Sequence, residues 1–587
     1  MKRHLPIVVR AYTEREFKSK LKTPISGAPE PKWPNSVLVF DTETTTDPTQ
    51  RLLFGSYRYY RWKAGLLECV EEGVFYADEL PEKDPEGYEC LGCVRDHQAD
   101  VVPGVNPALL LMPRSEFVKK KLFPIAYDLR ASVVGFNLSF DLSRVAVDWK
   151  EARRFYEGGF SLVLNDYPAN GNSRREDPYV PRLRVKQIDS KRSLFAFARP
   201  PRIDKSRNRR EYFGGYFVDV RTLAFALTNA AYSLQGACEH FKVKDPKLKF
   251  QAHGQISADN VTYNRGDVRA TAQLLEKLRA EFDLHPIELA PYKSRSPASV
   301  AKAYLRAMGV VPPAQKFANI SREFLGYAMS GYFGGRAECH IRNIVVPVVY
   351  CDFLSMYPTV NALMGLWWLL TGERLRIVDA TEEVRRFLDG VTLEDCFRKN
   401  TWPELLFFAE ILPDGDILPV RSPYDPDTDA YNIGLNRLYF HEPLWYAAPD
   451  LVASKLLAGK VPSVRRAYRL VAEGRQAGLR PVRLRDAIPV DPTKEDFFRA
   501  VIEQRKRLTD GDPLSDFLKV LANSGSYGIF AEMNRQELPP KKLEKLSVWG
   551  LLGKFIAESR APEEPGPFCF PPIAALITSA EVTAIGV

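Results

Sequence analysis

The sequence lacks any apolar run that approaches the roughly 20 residues of a membrane-spanning helix. Its N-terminus, MKRHLPIVVRAYTEREF, is basic but has neither a long apolar stretch nor a small-residue cleavage site, so we expect no signal peptide. Internal repeats and low-complexity tracts are also missing. These absences, with 45% hydrophobic and 26% charged residues, are typical of a soluble globular protein.

Cysteine is scarce, with only 8 in 587 residues, and most lie alone in apolar surroundings. This favours reduced, intracellular thiols over a disulfide framework. Cys90 and Cys93 form a CxxC with Cys69 and His97 nearby, which leaves a zinc site open. The second tight ligand pair of a structural zinc site is missing, and the alternative is an acidic, loop-rich insertion with three incidental thiols.

The net charge is positive, at +9, with a pI near 8.9. This surplus permits binding to a polyanion such as nucleic acid but does not demand it. The length exceeds what one hydrophobic core supports, so we expect three or four domains or subdomains.

Carboxylates occur in three short patterns along the first half. A predicted strand, residues 36–40, runs into Asp41 and Glu43, which project from the same side because strand residues alternate. Two carboxylates this close repel unless a cation lies between them. A second strand, residues 132–136, leads to Asn137, predicted to cap a helix with Asp141 in its first turn.

The third pattern lies inside a predicted helix, where Tyr263 and Asp267 are four residues apart and share a face. The order DxE, NxxFD and YxxxD resembles the Exo I, II and III motifs of the 3′→5′ proofreading domain of family B DNA polymerases. The resemblance implies an RNase H-like α/β domain with two Mg²⁺ (or Mn²⁺) ions per active site. It also implies that Tyr263 orients the attacking water, that Asn137 contacts the single-stranded 3′ end, and that the metal ligands are Asp41, Glu43, Asp141 and Asp267.

A polymerase pattern follows. Residues 344–350 form a predicted apolar strand, with Pro347 at an edge or bulge, which leads to Asp352. The stretch from Asp352 to Pro358 resembles motif A, which implies that Asp352 binds catalytic metal. The implied nucleotide-binding residues are Phe353, Leu354, Ser355 and Tyr357, with Tyr357 excluding ribonucleotides.

Two more elements resemble the same family. The turn at 331–336 resembles YxGG and implies DNA contacts by Tyr332, Gly334, Gly335 and Arg336. Residues 519–528 resemble motif B, in which Lys519 and Asn523 meet the triphosphate, with Arg505 from the preceding helix. Tyr527 and Gly528 would contact DNA, although one extra residue before Tyr527 rotates it by about 100° on an ideal helix. A bulge or an early helix end at Gly525 would absorb that rotation.

The second palm carboxylate, motif C, and the thumb are missing from the sequence. An Asp-Thr-Asp at 427–429 precedes motif B, in the wrong order, and is expected to lie in an exposed acidic loop. Three hypotheses stay open: a split polymerase completed by a second polypeptide, a stand-alone DNA exonuclease, or a silent DNA-binding subunit. A truncated sequence would resemble the first.

We therefore expect a multidomain α/β and α+β protein with an incomplete right hand of palm and fingers. Its expected partners are primer-template DNA and dNTPs, and its expected location is cytoplasmic and nucleoid-associated. The expected divisions are an N-terminal extension (1–35), an exonuclease domain (36–285), a palm segment with YxGG and motif A (286–365), a palm or insertion region (366–485), fingers (486–535) and an incomplete palm (536–587).

Overall fold

The structure, a computed structural model, describes residues 6–16, 30–96, 109–169, 174–202, 212–244, 254–336, 341–350, 353, 355–423, 431–509, 511–539 and 541–586. The chain divides into two compact units. We call Pro24–Val300 the N-terminal unit, and Met1–Thr23 with Ala301–Val587 the C-terminal unit. Mixed α/β architecture is thus confirmed, and the finer divisions and their functional labels stay predictions.

The N-terminal unit is built on a six-stranded mixed sheet. Its strand order is Tyr216–Asp219, Ser132–Gly135, Ser36–Thr44, Leu52–Lys63, Leu66–Tyr76 and Leu110–Pro113. The middle long strand, Leu52–Lys63, pairs antiparallel with the long strand on each side, and each of the other three strands pairs in parallel with its neighbour towards the centre. A four-stranded antiparallel sheet holds Arg192–Phe197, Leu183–Asp189, Phe160–Val163 and Asp148–Glu151, and a small hairpin pairs Asp166–Pro168 with Arg174–Glu176.

The strand Ser36–Thr44 is buried on both faces because its side chains alternate. Val37 and Val39 join the core beneath the long helix Ala258–Asp283, whereas Leu38 and Phe40 join a second core on the opposite face. The helical segments of this unit are Leu80–Lys83, Pro85–Asp96, Arg114–Glu116, Phe117–Leu122, Pro124–Asp128, Leu138–Arg144, Arg154–Tyr156, Val220–Thr228, Leu234–His240, Ala258–Asp283 and Pro291–Lys293.

The C-terminal unit contains a four-stranded antiparallel sheet in the order Arg374–Asp379, Val464–Glu473, Phe407–Ile411 and Leu444–Ala447. The strand Tyr12–Arg15 adds to the hairpin Glu544–Gly550 and Gly553–Ser559. Part of the expected N-terminal extension is therefore a sheet strand of this unit. The remaining strands pair as Asp414–Pro423 with Tyr431–Tyr439, Val482–Leu484 with Ile488–Val490, and Met533–Arg535 with Glu563–Pro565.

Helices of the C-terminal unit pack around these strands. The expected fingers are the contacting helices Phe497–Arg505 and Pro513–Ser526. The others are Pro313–Lys316, Arg322–Ser330, Met356–Met364, Leu366–Leu370, Thr381–Gly390, Leu393–Cys396, Lys399–Leu405, Ala448–Ala458 and Pro571–Gly586, and Pro297–Ala307 runs through the division point. In the described parts of the chain, no helix combines the length and apolarity needed to cross a bilayer.

The strand expected at 344–350 is wrong. These residues form no strand and lie in water, with Val345 99% and Tyr350 91% exposed. An apolar strand needs a hydrogen-bonded neighbour, and Pro347 itself lacks the N–H that a ladder requires. The cysteine segment was expected to be loop-rich if it holds no zinc, and that part is wrong for the described residues, because Cys90 and Cys93 lie on the helix Pro85–Asp96. Whether the three thiols are incidental stays a prediction, and His97 lies outside the described residues.

Candidate active sites

Asp41 lies within a strand of the N-terminal unit and contacts the long helix beside it. The strand continues to Thr44, so both Asp41 and Glu43 are held in sheet register against the neighbouring strand. Asn264, in the middle of the YxxxD pattern, donates from Nδ2 to Asp41 Oδ2 over 2.6 Å. The structure thus brings the first and third sequence patterns together through a side chain that the motif reasoning did not select.

Asp141 joins the second pattern to the same strand. Its Oδ1 accepts hydrogen bonds from Thr42 N at 3.1 Å and Thr42 Oγ1 at 2.8 Å. Burial raises the pKa of Asp141 to about 7 against the lowering effect of the Thr42 bonds, and the nearby carboxylate of Asp219 raises it further. A carboxyl group with this pKa changes its charge near neutral pH.

Asn137 does not cap the helix Leu138–Arg144 with its side chain, so that expectation is wrong. It stands just before the helix in a left-handed conformation, with φ 67°, and makes no side-chain cap bond. The carboxylate of Asp219 takes over, accepting from Asn137 N at 3.3 Å and Leu138 N at 3.1 Å. Asn and Asp tolerate positive φ, and here that conformation points two backbone donors at one neighbouring carboxylate.

Asp219 serves two helices. It ends the strand Tyr216–Asp219 and also caps the helix Val220–Thr228 by accepting from Arg221 N and Thr222 N. Burial raises its pKa to about 6 although these four backbone donors favour the charged form. Asp219 therefore holds the turn at Asn137 in place. Through that turn it also supports Asp141, which lies in the first turn of the following helix.

Tyr263 and Asp267 lie buried on the helix Ala258–Asp283, as the spacing predicts. The same helix is anchored by Arg265, whose Nε lies 2.6 Å from Glu72 Oε1. Arg58 lies 3.0 Å from the same oxygen. Burial opposes ionisation of Glu72, yet the two guanidinium groups keep its pKa below the ordinary value. This ion triad pins the helix to the sheet beside Asp41.

The four predicted metal ligands supply carboxylate oxygens, the donor type that Mg²⁺ and Mn²⁺ prefer. A nearby cation would also relieve the unfavourable burial of Asp141. Among the residues that the structure describes, no three His, Cys, Asp or Glu side chains come together as a group that could hold a metal ion. The donor chemistry fits a hard divalent cation, and the two-metal site stays a prediction.

Three tyrosines from three polymerase patterns meet in the C-terminal unit. The hydroxyls of Tyr332 and Tyr527 lie 2.7 Å apart. Tyr357 stacks on Tyr527 with ring centroids 4.9 Å apart and planes 9° from parallel. Gly334 has φ +77°, and a Cβ placed there would lie 3.8 Å from the Tyr527 hydroxyl. The same construction at Gly335 comes within 3.9 Å of the Tyr357 hydroxyl, so both glycines line this cluster.

The extra residue of motif B is not absorbed by an early helix end at Gly525, as one alternative had it. The helix includes both Gly525 and Ser526, and the backbone departs from helical geometry at Tyr527, with φ −137° and ψ −81°. Asn361 closes this end, donating from Nδ2 to Ser526 O over 3.0 Å and to Tyr357 O over 2.8 Å. One buried amide thereby ties the motif A helix to the last turn of the motif B helix.

Some of the residues predicted to bind the triphosphate contact each other, whereas others are exposed on a helix face. Arg505 Nη1 donates to Ser355 Oγ over 2.6 Å, so these two predicted residues meet. Lys519 and Asn523 lie one turn apart on the exposed face of their helix, and Gly528 is exposed as well. Phe353 is half exposed. Asp352, Leu354 and the Asp-Thr-Asp at 427–429 lie outside the described residues.

Arg336 is buried in an ion pair and does not face solvent. Its Nη2 lies 3.4 Å from Asp450 Oδ1, and both side chains are nearly inaccessible. Burial raises the pKa of Asp450, whereas Arg336 lowers it. Glu581 shares a hydrogen bond with the Tyr357 hydroxyl and feels the charge of Arg336. The predicted DNA contact of Arg336 stays a prediction, since here its guanidinium pairs with Asp450.

Sequence reasoning missed several residues that hold these sites together. Asp219 gave a usable signal, because an aspartate that ends an apolar strand and starts an apolar run is typical of a helix N-cap. Asn264 lies inside the third pattern, and its side-chain amide N–H can donate a hydrogen bond to a carboxylate. Thr42, Asn361 and Glu581 gave no such signal, because their partners come from distant parts of the chain.

Residues 237–364 match the family model described as DNA polymerase type B, organellar and viral. The matched segment contains Tyr263, Asp267, the turn at 331–336 and Tyr357. No curated protein matches the chain. The match falls on the segment that carries the third exonuclease pattern, YxGG and motif A, and it supports a family B DNA polymerase, because this segment is similar to the type B DNA polymerases.

Proposed function

We propose that this chain is a template-directed DNA polymerase with a 3′→5′ proofreading exonuclease. The match of residues 237–364 to the type B DNA polymerase model supports DNA polymerase function in general. The observation that carries the polymerase proposal is the meeting of Tyr332, Tyr357 and Tyr527, because three separate motifs contribute to one aromatic cluster. Two bonds to the strand of the first motif, Asn264 to Asp41 and Thr42 to Asp141, support the nuclease.

In the nuclease site, Asp41, Glu43, Asp141 and Asp267 would hold two divalent cations. When bound, such ions activate a water and stabilise the leaving 3′ oxygen. Asn264 orients the Asp41 carboxylate, and Thr42 holds one oxygen of Asp141. These bonds fix the ligand side chains before substrate arrives, which reduces the reorganisation that the reaction requires.

In the polymerase site, Lys519 and Asn523 would receive the triphosphate of the incoming nucleotide, with Arg505 on the adjacent helix. The exposed face that carries Lys519 and Asn523 suits an anionic ligand. Tyr357 would lie under the sugar, where its ring excludes a 2′-hydroxyl. Asp352 would bind Mg²⁺, which neutralises charge as the primer 3′-hydroxyl attacks the α-phosphate.

The nuclease part is tested on a 5′-labelled single strand with Mg²⁺ and without dNTPs. We expect stepwise shortening from the 3′ end, and a loss of at least 100-fold in rate for Asp41→Asn or Asp141→Asn, comparable to removing a main electrostatic contributor. Asp47→Asn is the matched control, because Asp47 is an exposed carboxylate in the turn after the same strand. Equal rates for Asp41→Asn and Asp47→Asn would contradict the assignment.

The polymerase part is tested on a primer-template with dNTPs, using the Asp41→Asn chain so that the product is not degraded. Primer extension supports polymerisation by the chain itself. If extension appears only when a second polypeptide that supplies a palm carboxylate is added, the split hypothesis holds. No extension by the Asp41→Asn chain under either condition, together with 3′ shortening by the wild-type chain, contradicts the polymerase proposal and leaves a DNA exonuclease.

A further inference from the structure

Two aromatic side chains of the N-terminal unit form a surface that the mechanism does not use. Trp149 is 57% exposed and Phe160 50% exposed, and their rings meet edge to face with centroids 5.2 Å apart and planes at 81°. Large aromatic side chains bury much of their surface in most proteins, so a tryptophan left this open marks a contact surface. We call Trp149 and Phe160 the aromatic shelf.

Two hydrogen-bonded strands carry the shelf. Trp149 lies on the strand Asp148–Glu151 at one end of the four-stranded sheet, and Phe160 begins the strand that pairs with it. The antiparallel register sets Glu151 opposite Phe160 and Trp149 opposite Leu162, so the two rings are diagonal neighbours on one face. A ligand that stacks here therefore meets a preformed platform.

The shelf lines a cleft of about 470 Å³ that reaches the nuclease motif. Asn137, Ser139 and Phe140, on the turn and helix that carry Asp141, line the same cleft. Arg144 lines it as well, with its guanidinium carbon 4.9 Å from the centre of the Phe140 ring. The cleft thus runs from the side of Asp141 to two open aromatic faces.

We propose that the aromatic shelf stacks a base of the unpaired DNA strand whose 3′ end enters the nuclease site. Unpaired bases expose faces that stack on aromatic side chains without sequence preference, whereas duplex bases are stacked on each other. The cleft has room for a nucleotide and is lined by hydroxyl, amide, aromatic and aliphatic groups, with one cation, Arg144, and one carboxylate, Asp148. This inference rests on the proposed nuclease function and names how its substrate is held.

Binding is measured first, so that the result does not depend on catalysis. The full chain is titrated with a fluorescently labelled oligodeoxythymidylate in EDTA, and its Kd is read from anisotropy. We expect Trp149→Ala to weaken binding about 5- to 150-fold, the range for one stacked base, and Trp149→Phe to restore most of it. Tyr167→Ala, an exposed aromatic on another hairpin of the same unit, is the matched control.

A substrate change then locates the base. An abasic nucleotide is moved through the positions next to the 3′ end, and at one position wild-type affinity should fall as far as it does in Trp149→Ala. With that oligonucleotide, Trp149→Ala should cause no further loss, because the stacked partner is already gone. Hydrolysis of thymidine 5′-p-nitrophenyl phosphate, which has no second base, should be equal in both chains.

The outcomes separate the two proposals. If Trp149→Ala and Phe160→Ala bind the single strand as tightly as wild type does, the shelf proposal is wrong, whatever the nuclease assay gives. If the wild-type chain binds single strands through Trp149 but degrades none, the nuclease proposal fails and the shelf stands as a binding site. If the Trp149 side chain is protected from oxidation by an added protein partner and not by the single strand, the shelf is a protein interface and this proposal is overturned.

Discussion

Asp219→Ala tests how the nuclease motif is held in place. The Asp219 carboxylate accepts four backbone N–H groups, two from the turn at Asn137 and Leu138 and two from the start of its own helix. Losing an N-cap typically costs about 1 kcal/mol. Leaving buried donors without an acceptor costs about 1–3 kcal/mol more. We therefore expect the free energy of local opening around this turn to fall by about 2–4 kcal/mol.

Amide hydrogen exchange measures this directly. The helix Leu138–Arg144 should exchange about 30- to 1,000-fold faster in Asp219→Ala, since each 1.4 kcal/mol is a factor of ten. Nuclease activity should fall with it, because Asp141 lies on the loosened helix. Asp219→Asn, which keeps one acceptor oxygen, should show a smaller effect.

Asp512→Ala is the matched control, because Asp512 caps the helix Pro513–Ser526 in the C-terminal unit with the same chemistry. Its effect should stay in that helix and leave residues 138–144 unchanged. If Asp219→Ala leaves the exchange of Leu138–Arg144 as slow as in wild type, the four bonds do not support the motif and the reasoning is refuted.

Three further predictions concern stability. Asn361→Ala removes the amide that donates to Ser526 O, so the free energy of opening at the end of the helix Pro513–Ser526 should fall by about 1–2 kcal/mol and amide exchange there should become faster. Asp450→Ala leaves Arg336 buried without its partner and should destabilise the C-terminal unit by about 3–5 kcal/mol in urea denaturation, whereas Arg336→Met with Asp450→Leu should recover most of it. The pKa of Asp219 in the folded protein, about 6, lies above its unfolded value of about 3.9. Its contribution to the free energy of unfolding is therefore complete below about pH 4 and is lost as pH rises through 6. Denaturation curves measured between these pH values should show this loss for the wild type and not for Asp219→Asn.

Local patterns were predictable where one short segment determines the outcome. The buried strand before Asp41 and the helix that carries Tyr263 and Asp267 follow from alternation and helical spacing, and the structure has both. The helices that carry Arg505 and Lys519 were predictable for the same reason. The resemblance to family B polymerases was also visible, because several short patterns occur in a fixed order.

Contacts between distant segments were not predictable. The sequence around Asn137 does not indicate that Asp219, 82 residues later, caps the helix Leu138–Arg144. The fate of residues 344–350 also depends on what lies beside them, since β-branched composition favours a strand only when a neighbouring strand completes the hydrogen bonds. A local sequence pattern shows which secondary structure a segment can adopt, whereas contacts with distant segments determine which one it adopts.

The open run at 344–350 has a consequence for handling the protein. It offers valine, isoleucine and tyrosine side chains to water without a single charge, which is the composition of segments that stack into cross-β aggregates. Pro347, in the middle, interrupts any continuous ladder and acts as a gatekeeper against that association. Replacing Pro347 to restore a strand would therefore lower solubility, whereas a lysine at Val348 would raise it without touching a buried contact.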